Sequence, residues 1–432
     1  MIHPLAQELN DTLEGTAAKK LLSELGTRMY FPKGIISQSA EAKQHATHAN
    51  GTIGMAMIAG MPAILPSITK NLPAFNPREL VAYAPTAGLP ELRHSWKQKI
   101  LEKNSRLNGT PFSLPIVVPG LTAGLSYIAD VFTDRTKPVL TAYPSWDNYA
   151  LIVSTRHDAA LHQFELFADG HLNIPAFETA VQQEARAVGS VRILLNFPHN
   201  PSGYSPTHEE VCALVRIITD TAESGIPVLV ISDDAYFGLT YEQTIEAQSL
   251  FAYIANCHTN VLAVKIDGPT KEDFSWGLRT GFITFAAQGM NDAQYEALTK
   301  KFMGIIRSSV SCSATPSQSI LLHAFMDPAH EEQKNFFRAL LEKRYRAVRT
   351  FIDSHHSSVL EALPFNSGYF MSFRTRGIDA EKLRTALLME HGIGTVSIDE
   401  QTLRVAFSSI DDEKIEAVYT AIYETAETLS QN

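Results

Sequence analysis

The sequence has few cysteines, no surplus of basic residues and no long hydrophobic run. Cys212, Cys257 and Cys312 form no CxxC pair, so we expect reduced thiols rather than a disulfide framework, with a catalytic thiol as the alternative. The formal net charge of −10 comes from scattered acidic residues, which argues against a nucleic-acid-binding surface but leaves room for small anionic ligands. The most apolar early stretch, residues 55–66, is too short to span a bilayer, and no signal-peptide pattern precedes it. We therefore expect a cytoplasmic protein that does not cross a membrane.

The composition and the middle of the chain predict a large α/β fold. With 432 residues, 45% of them hydrophobic and 19% charged, the chain can bury a substantial core. Short β-branched runs alternate with amphipathic segments such as 209–222, which is typical of a mostly parallel sheet covered by helices. The predicted strands are 116–118, 138–142, 191–197, 227–232, 261–266 and 282–285.

The last third of the chain has a different character. A long helical pattern is followed by two short apolar runs with another helical pattern between them, which predicts a smaller α+β unit. In chain order these segments are 335–354, 369–373, 380–390 and 402–407. We predict a large domain over residues 70–315 and a discontinuous small domain formed by residues 1–69 and 316–432.

Polar and aromatic residues follow the ends of several predicted strands. Because ligands bind outside the carboxyl ends of the strands in an open parallel sheet, these residues predict a single site at one edge. They are Tyr143, Trp146, Asn196, Asp233, Asp234 and Lys271.

Two lysines compete for a catalytic role. Lys271 lies in a Gly/Pro-rich loop, and Arg279 follows eight residues later; this pair suits covalent carbonyl chemistry beside a phosphate. A solvated surface charge is the alternative for Lys271. Lys265 lies inside an apolar strand, and we expect its ammonium to reach out of the core toward water.

Three further segments carry polar groups that could contact a ligand. Asp233–Tyr236 offers a buried acid for a protonated ring nitrogen; a solvated turn is the alternative, and no metal site is expected because no further ligands accompany the acids. The turn Asn196–Gly203 is rigid, with Asn196 at the position that could face a ligand. Gly120–Leu125 opens a helix whose N–H groups could bind an anion, with Thr122 adding a hydroxyl.

Taken together, these segments resemble the fold type I, class I pyridoxal-phosphate (PLP) aminotransferases, and in places the aspartate and aromatic amino acid aminotransferases. The likeness rests on six short segments that occur in the family's order, since any one of them alone is weak. They are YAPTAGLPELR at 83–93, PSWDNY at 144–149, NFPHNPSG at 196–203, DDAY at 233–236, the Lys271 and Arg279 pair, and LRVAF at 403–407.

The sequence also departs from the family pattern near the cofactor's expected phosphate. Gly268 stands where the family often has a serine, and Thr270 is a candidate to compensate. Leu121 stands where glycine or serine is common, and the residues after Lys271 are unusually acidic.

The resemblance implies a role for each matched residue. Lys271 would carry PLP as a Schiff base and move the substrate's proton, and Asp233 would pair with the pyridine nitrogen. Asn196 and Tyr236 would bind the phenolic oxygen. The remaining residues that the resemblance implies are Trp146 on the ring face, Leu121, Thr122 and Arg279 around the phosphate, Tyr83 on the phosphate of a second subunit, and Arg404 on the substrate carboxylate.

These roles predict an aminotransferase acting as a homodimer on an L-amino acid, aspartate or aromatic, and a 2-oxo acid such as 2-oxoglutarate. Arg307 loosely matches the family's arginine for a second carboxylate, with a surface arginine as the alternative. Another PLP chemistry on the same fold, such as β-lyase, decarboxylase or racemase activity, stays open. A ligand-sensing domain of a transcription regulator is disfavoured because the first eighty residues show no basic helix-turn-helix pattern.

Overall fold

A seven-stranded sheet forms the centre of the molecule. The computed structural model describes residues 2–12, 27–28, 35–52, 54–70 and 75–431. In spatial order the strands are β4 (Ile116–Val118), β12 (Gly281–Ala286), β11 (Val261–Asp267), β10 (Val228–Asp233), β9 (Val191–Asn196), β5 (Val139–Tyr143) and β6 (Leu161–Glu165). β12 is antiparallel to both of its neighbours, and every other neighbouring pair is parallel. The predicted mostly parallel sheet is confirmed.

Helices cover both faces of this sheet because its strands are apolar on both sides. On one face a core forms around Trp96, Phe177 and Leu214, and on the other around Leu125 and Phe302. The helices of this part are Pro77–Leu80, Pro90–Lys103, Leu121–Phe132, Asn148–Ala150, Leu151–Arg156, Ile174–Val188, His208–Glu223, Leu250–Ile254, Pro269–Glu272, Asp292–Ser309 and Thr315–Phe325. Short 3-10 turns lie at Ser105–Leu107 and Trp276–Leu278, and a small hairpin pairs β7 (Phe167–Ala168) with β8 (His171–Leu172).

The end of the chain builds a second, antiparallel sheet with its own core. Its spatial order is β13 (Leu360–Ala362), β14 (Met371–Thr375), β17 (Thr402–Val405) and β16 (Val396–Asp399). Its core includes Tyr345, Phe373 and Tyr419. The helices of this part are His330–Ser354, Ala380–His391 and Ile415–Ser430, with 3-10 turns at Phe407–Ser409 and Asp412–Lys414. This is the α+β character that the last third of the sequence predicts.

Described residues near the start of the chain join this C-terminal part. Strand β1 (Ala49–Asn50) pairs in parallel with β15 (Ile393–Gly394), and Gln38 exchanges hydrogen bonds with the backbone of Ser397. The other elements described before residue 75 are Pro4–Thr12, Ile35–His45, Pro66–Thr69 and the hairpin of β2 (Met57–Ile58) and β3 (Met61–Pro62). These contacts join residues near the start of the chain to the C-terminal part, and the division into two domains stays a prediction. No helix within the described part of the chain is long and apolar enough to cross a membrane.

Candidate active site

A cavity of about 550 Å³ opens at the carboxyl ends of the central strands, where open parallel sheets bind ligands. It brings together most of the residues that the sequence nominates, which arrive from separate strands and loops. The lining residues are Leu121, Thr122, Leu125, Trp146, Tyr149, Asn196, Asn200, Asp233, Ala235, Tyr236, Thr270, Lys271 and Arg279. Larger clefts of about 840 and 1260 Å³ lie elsewhere and contain none of the nominated residues.

Asp233 ends strand β10 and is the buried acid of the cavity. One of its carboxylate oxygens accepts a hydrogen bond from the Tyr149 hydroxyl at 2.6 Å, and the other accepts one from the Ala235 N–H at 3.2 Å. Burial raises the pKa of Asp233 to about 6, although both hydrogen bonds oppose that rise. Asn196, at the end of the neighbouring strand, donates to the Asp233 backbone carbonyl at 2.7 Å and so fixes the two strand ends against each other.

Lys271 follows strand β11 on the short helix Pro269–Glu272. Its ammonium lies 5.0 Å from the centre of the Tyr236 ring and 3.5 Å from the backbone carbonyl of Gly54. Burial, with the nearby charges of Arg404 and Arg279, lowers the pKa of Lys271 to about 8. The lysine can therefore supply a neutral amine near physiological pH, which carbonyl chemistry requires.

One end of the cavity is suited to an anion. Gly120, with φ of 91°, precedes the helix Leu121–Phe132, and a Cβ atom there would lie 2.3 Å from the Arg279 guanidinium. Only glycine therefore lets the guanidinium approach the first turn of this helix, whose free N–H groups favour negative charge. Thr122 and Thr270 add hydroxyl groups to the same end of the cavity.

The two residues that depart from the family pattern, Gly268 and Leu121, pack against each other. A Cβ atom on Gly268 would come within 2.9 Å of the Thr280 carbonyl and 3.0 Å of the Leu121 side chain. A serine could not enter at this position without movement of its neighbours. The Leu121 side chain therefore occupies the space beside Gly268 and gives the anion-binding end of the cavity an apolar side.

Arg404 lies in strand β17 beside the cavity and is 2% exposed. Its guanidinium donates to the Asn200 side chain at 3.0 Å and to the Thr52 backbone carbonyl at 3.4 Å, and it stacks 4.3 Å from the Phe370 ring centre. Its Nε atom is buried without a hydrogen-bond partner. A buried guanidinium whose hydrogen-bond acceptors are neutral groups is poised for a carboxylate ligand.

The second acid of the doublet, Asp234, points away from the cavity. It accepts hydrogen bonds from Lys265 and from the Ser249 hydroxyl, and Lys265 also lies 3.3 Å from Asp267. Burial raises the pKa of Asp234, and the neighbouring carboxylates raise the pKa of Lys265 although burial alone would lower it. The prediction that Lys265 reaches water is wrong, since its side chain is fully buried in this cluster.

Two of the predicted site residues, Tyr83 and Arg307, are exposed and do not line the cavity. Tyr83 is 92% exposed, and Arg307 is exposed with a 3.3 Å hydrogen bond to the Ser311 hydroxyl. Both were expected to act across a subunit interface, so their roles stay predictions. Among the described residues, no group of three or more His, Cys, Asp or Glu side chains is placed to hold a metal ion.

Sequence reasoning missed two residues that contact the nominated ones. Tyr149 donates to Asp233, and Asn200 connects the Arg404 guanidinium to the turn that Asn196 begins. Both lie in segments already identified as motifs. The signal for Tyr149 was its spacing, since it follows Trp146 by three residues, about one helical turn, and the two rings meet edge to face at 5.5 Å.

Comparison with known proteins agrees with this geometry. Residues 59–422 match the family described as aminotransferase class I and II. The chain belongs to this family. Its members depend on PLP.

Individual relatives are distant. An aspartate aminotransferase of Bacillus sp. (strain YM-2) is 26% identical over 271 residues, which cover 61% of this chain and 62% of that enzyme. An aminotransferase from Anaerococcus prevotii superposes with a TM-score of 0.83 at 21% identity, covering 95% of this chain and 99% of that one. A Pyrococcus horikoshii kynurenine aminotransferase, solved in complex with PMP, gives a TM-score of 0.79 at 15% identity, covering 95% and 98%. These structures establish the fold type I architecture.

The residues around the cavity fit PLP. A lysine of lowered pKa, a buried carboxylate and a glycine that admits Arg279 to a helix N-terminus match an aldehyde, a ring nitrogen and a phosphate. The one mismatch is the apolar side formed by Leu121 and Gly268, which removes a hydroxyl donor but leaves Thr122 and Thr270.

Proposed function

We propose that this chain is a PLP-dependent aminotransferase that moves an amino group between an L-amino acid, aspartate or aromatic, and a 2-oxo acid such as 2-oxoglutarate. The observation that carries the proposal is the meeting of Lys271 and Asp233 in one cavity, with the Arg404 guanidinium bonded to the cavity residue Asn200, in a member of this family. The aspartate side of the proposal is supported by the name of the Bacillus relative.

The cavity residues divide into those that hold the cofactor and those that set its charge. Arg279, Thr122 and the N-terminus of helix Leu121–Phe132, with Leu121 packing alongside, hold the phosphate. Trp146 also lines the cavity and would stack on one face of the ring. Asp233 pairs with the ring nitrogen and Tyr149 keeps that carboxylate in place, so the ring keeps a positive charge.

Asn196 and Tyr236 bind the ring's phenolic oxygen in this proposal. Asn196 is held at the strand end by its bond to the Asp233 carbonyl, and Tyr236 is buried three residues after that acid. Bound PLP supplies an aldehyde for the amino group and a ring that accepts the electron pair of a broken Cα–H bond.

Lys271 moves the proton. Its amine would hold the cofactor's aldehyde, and as a free amine it would carry a proton to and from the substrate's Cα atom. With a pKa near 8, the free amine accepts a proton readily at neutral pH and can also give it up. The Gly54 carbonyl, 3.5 Å from Nζ, orients the amine between these two positions.

Arg404 binds the substrate's α-carboxylate. Asn200 and the Thr52 carbonyl already hold the guanidinium plane, so little side-chain entropy is lost on binding. A planar, bidentate contact also fixes the direction of the Cα–H bond toward Lys271, which a lysine in place of Arg404 could not do.

The proposal extends to assembly and location. A cytoplasmic homodimer would place the exposed Tyr83 on the phosphate of the second site and Arg307 on a substrate's second carboxylate. We also propose residues 70–315 as the cofactor domain, and residues 1–69 with 316–432 as the small domain.

An amino-donor panel tests the function. The PLP-loaded protein is mixed with each single amino acid, and conversion of the cofactor to its amine form is followed by absorbance, without any 2-oxo acid. Stoichiometric conversion by aspartate or an aromatic amino acid, reversed by 2-oxoglutarate, is the expected result. Release of CO₂, elimination products or racemised donor without that conversion would replace transamination by another PLP chemistry.

A further inference from the structure

A second cluster of reactive side chains lies on the helix His208–Glu223, and none of its members lines the PLP cavity. Cys212 is exposed, and its Sγ atom lies 3.5 Å from Nε2 of His208, one helical turn earlier. The other ring nitrogen of His208, Nδ1, lies 2.7 Å from a carboxylate oxygen of Glu246. A thiol, an imidazole and a carboxylate are thus connected in a row.

The carboxylate is held so that it orients the imidazole. Glu246 accepts hydrogen bonds from the Tyr253 hydroxyl at 2.5 Å and from the Gln248 N–H at 2.9 Å. Burial raises the pKa of Glu246, but the bonds from Tyr253 and His208 outweigh it and the net shift is downward, so the group is an acceptor at neutral pH. The Tyr253 hydroxyl also lies 3.0 Å from Nδ1 of His208, but it donates its own proton to Glu246. With Nδ1–H donating to Glu246, the Nε2 lone pair is directed at the thiol.

The other polar groups around the row do not compete for the thiol. The Arg106 guanidinium stacks on Tyr253, 4.0 Å from the ring centre. Glu209, the residue after His208, is exposed. A shared metal ion is not favoured, because the two ring nitrogens face opposite partners, and no metal-holding group occurs among the residues that the structure describes.

We infer that Cys212 is a reactive thiol that exchanges with small-molecule disulfides, with His208 as its general base and Glu246 as the group that orients the base. In the step, His208 Nε2 takes the thiol proton and the Cys212 sulfur attacks one sulfur of the disulfide. A new S–S bond forms as the old one breaks, and the departing thiolate takes the proton from His208. Cys212 is oxidised and the leaving thiol is reduced, so no other reactant is needed.

The expected gain in rate follows from thiol chemistry. A free cysteine with a pKa of about 8.5 is only about 3% thiolate at neutral pH, so complete deprotonation could raise its rate by at most about 30-fold. The lower nucleophilicity of a more acidic thiol offsets roughly a factor of five of this gain. The geometry therefore predicts that Cys212 reacts up to about sixfold faster than it would without His208.

Thiol labelling of the intact PLP-loaded protein tests the inference. Dithiodipyridine and oxidised glutathione are added at neutral pH, the rate is recorded by absorbance, and the modified cysteine is located by peptide mass spectrometry. Cys212 should be the fastest of the three cysteines, since burial raises the pKa of Cys257. The fast phase should vanish in Cys212→Ser and slow by up to about sixfold in His208→Ala.

Two matched variants, each replacing a glutamate by glutamine, distinguish the orienting role of Glu246 from the general effect of a nearby negative charge. Glu246→Gln should slow Cys212 by about threefold or more, a fraction of the His208 effect, because the imidazole loses its oriented proton. Glu209→Gln removes the same charge from an exposed neighbour and should leave the rate unchanged. Equal rates in the wild type and His208→Ala, both showing native circular dichroism, would overturn the inference, as would equal effects of the two acid variants. If His208→Ala does not fold, His208→Gln provides the same comparison.

Discussion

Replacing Asp233 and Asp234 one at a time by asparagine should change the stability of the cofactor-free protein in opposite directions. The two residues are adjacent and both are buried, and the substitution is the same in size and chemistry. They differ in their partners: Asp233 faces the cavity with Tyr149, whereas Asp234 faces the ammonium of Lys265.

The Asp233→Asn variant should be more stable than the wild type. The folded-state pKa of about 6 is above the reference value of 3.8, so the ionised carboxylate costs stability in the empty fold. This loss of stability is absent when the pH is below the pKa of Asp233 in the unfolded chain, and it is complete once the pH exceeds the pKa of Asp233 in the folded protein. A difference of roughly 2.2 pKa units corresponds to about 3 kcal/mol, which is the largest gain to expect at neutral pH. The same variant should lose most of its activity.

The Asp234→Asn variant should be less stable. Removing one partner of a buried ion pair costs about 3–5 kcal/mol, because the other charge is left without compensation. Asp267 remains 3.3 Å from Lys265 and also accepts the Trp96 indole N–H at 2.9 Å, so we expect the lower end of that range, about 3 kcal/mol.

Urea denaturation of the cofactor-free proteins measures both effects. At about pH 5 the gain of Asp233→Asn should fall to roughly half of its value at neutral pH, because the wild-type carboxylate is then largely protonated in the folded state. Asp220→Asn, at an exposed helix position, controls for the substitution itself. A loss of stability in Asp233→Asn together with no loss in Asp234→Asn would refute the assignment of which acid faces the cofactor.

Four further outcomes are expected. Borohydride treatment of the PLP-loaded protein should fix the cofactor to the peptide of Lys271; fixation at Lys265 would contradict the site. Arg404→Lys should lower kcat/KM about 100-fold for every substrate in steady-state assays, roughly 3 kcal/mol, because all substrates share the α-carboxylate, whereas a loss confined to one substrate class would argue against that role. Mixing inactive Tyr83→Phe and Lys271→Ala subunits should restore some activity, and a fully active monomer in sedimentation would exclude shared sites. Arg307→Ala should weaken kcat/KM for dicarboxylates by about 3 kcal/mol and spare aromatic substrates, and equal losses would make it structural.

The central sheet could be predicted from the sequence because its inner strands are continuous β-branched runs. Strand β6 was missed, since its sequence LHQFE buries only Phe164 well and its other positions are polar or half-exposed, as at a sheet edge. The strand expected at 369–373 begins two residues later, because Tyr369 and Phe370 pack in the core before the pairing starts.

The site was predictable where a residue carries its own chemistry and not where it acts through a neighbour. Lys271 and Asp233 stand out as charges next to apolar strands. The burial of Lys265 depends on Asp234, which directly follows the adjacent strand more than thirty residues earlier, and sequence distance conceals that pairing. The role of Asn200 could not be predicted either, because its partner Arg404 lies about two hundred residues further along the chain.

The parallel pairing of β1 with β15 ties the site to the beginning of the chain. Thr52 and Gly54 follow that strand, and their backbone carbonyls face Arg404 and Lys271. The family match begins only at residue 59. A shortened protein that starts at the family boundary would keep every motif and still lack both carbonyl contacts and the strand that positions them. Lys271 and Arg404 would each lose a hydrogen-bond acceptor, so on the proposed roles of these two residues the shortened protein would lose activity although every motif is kept.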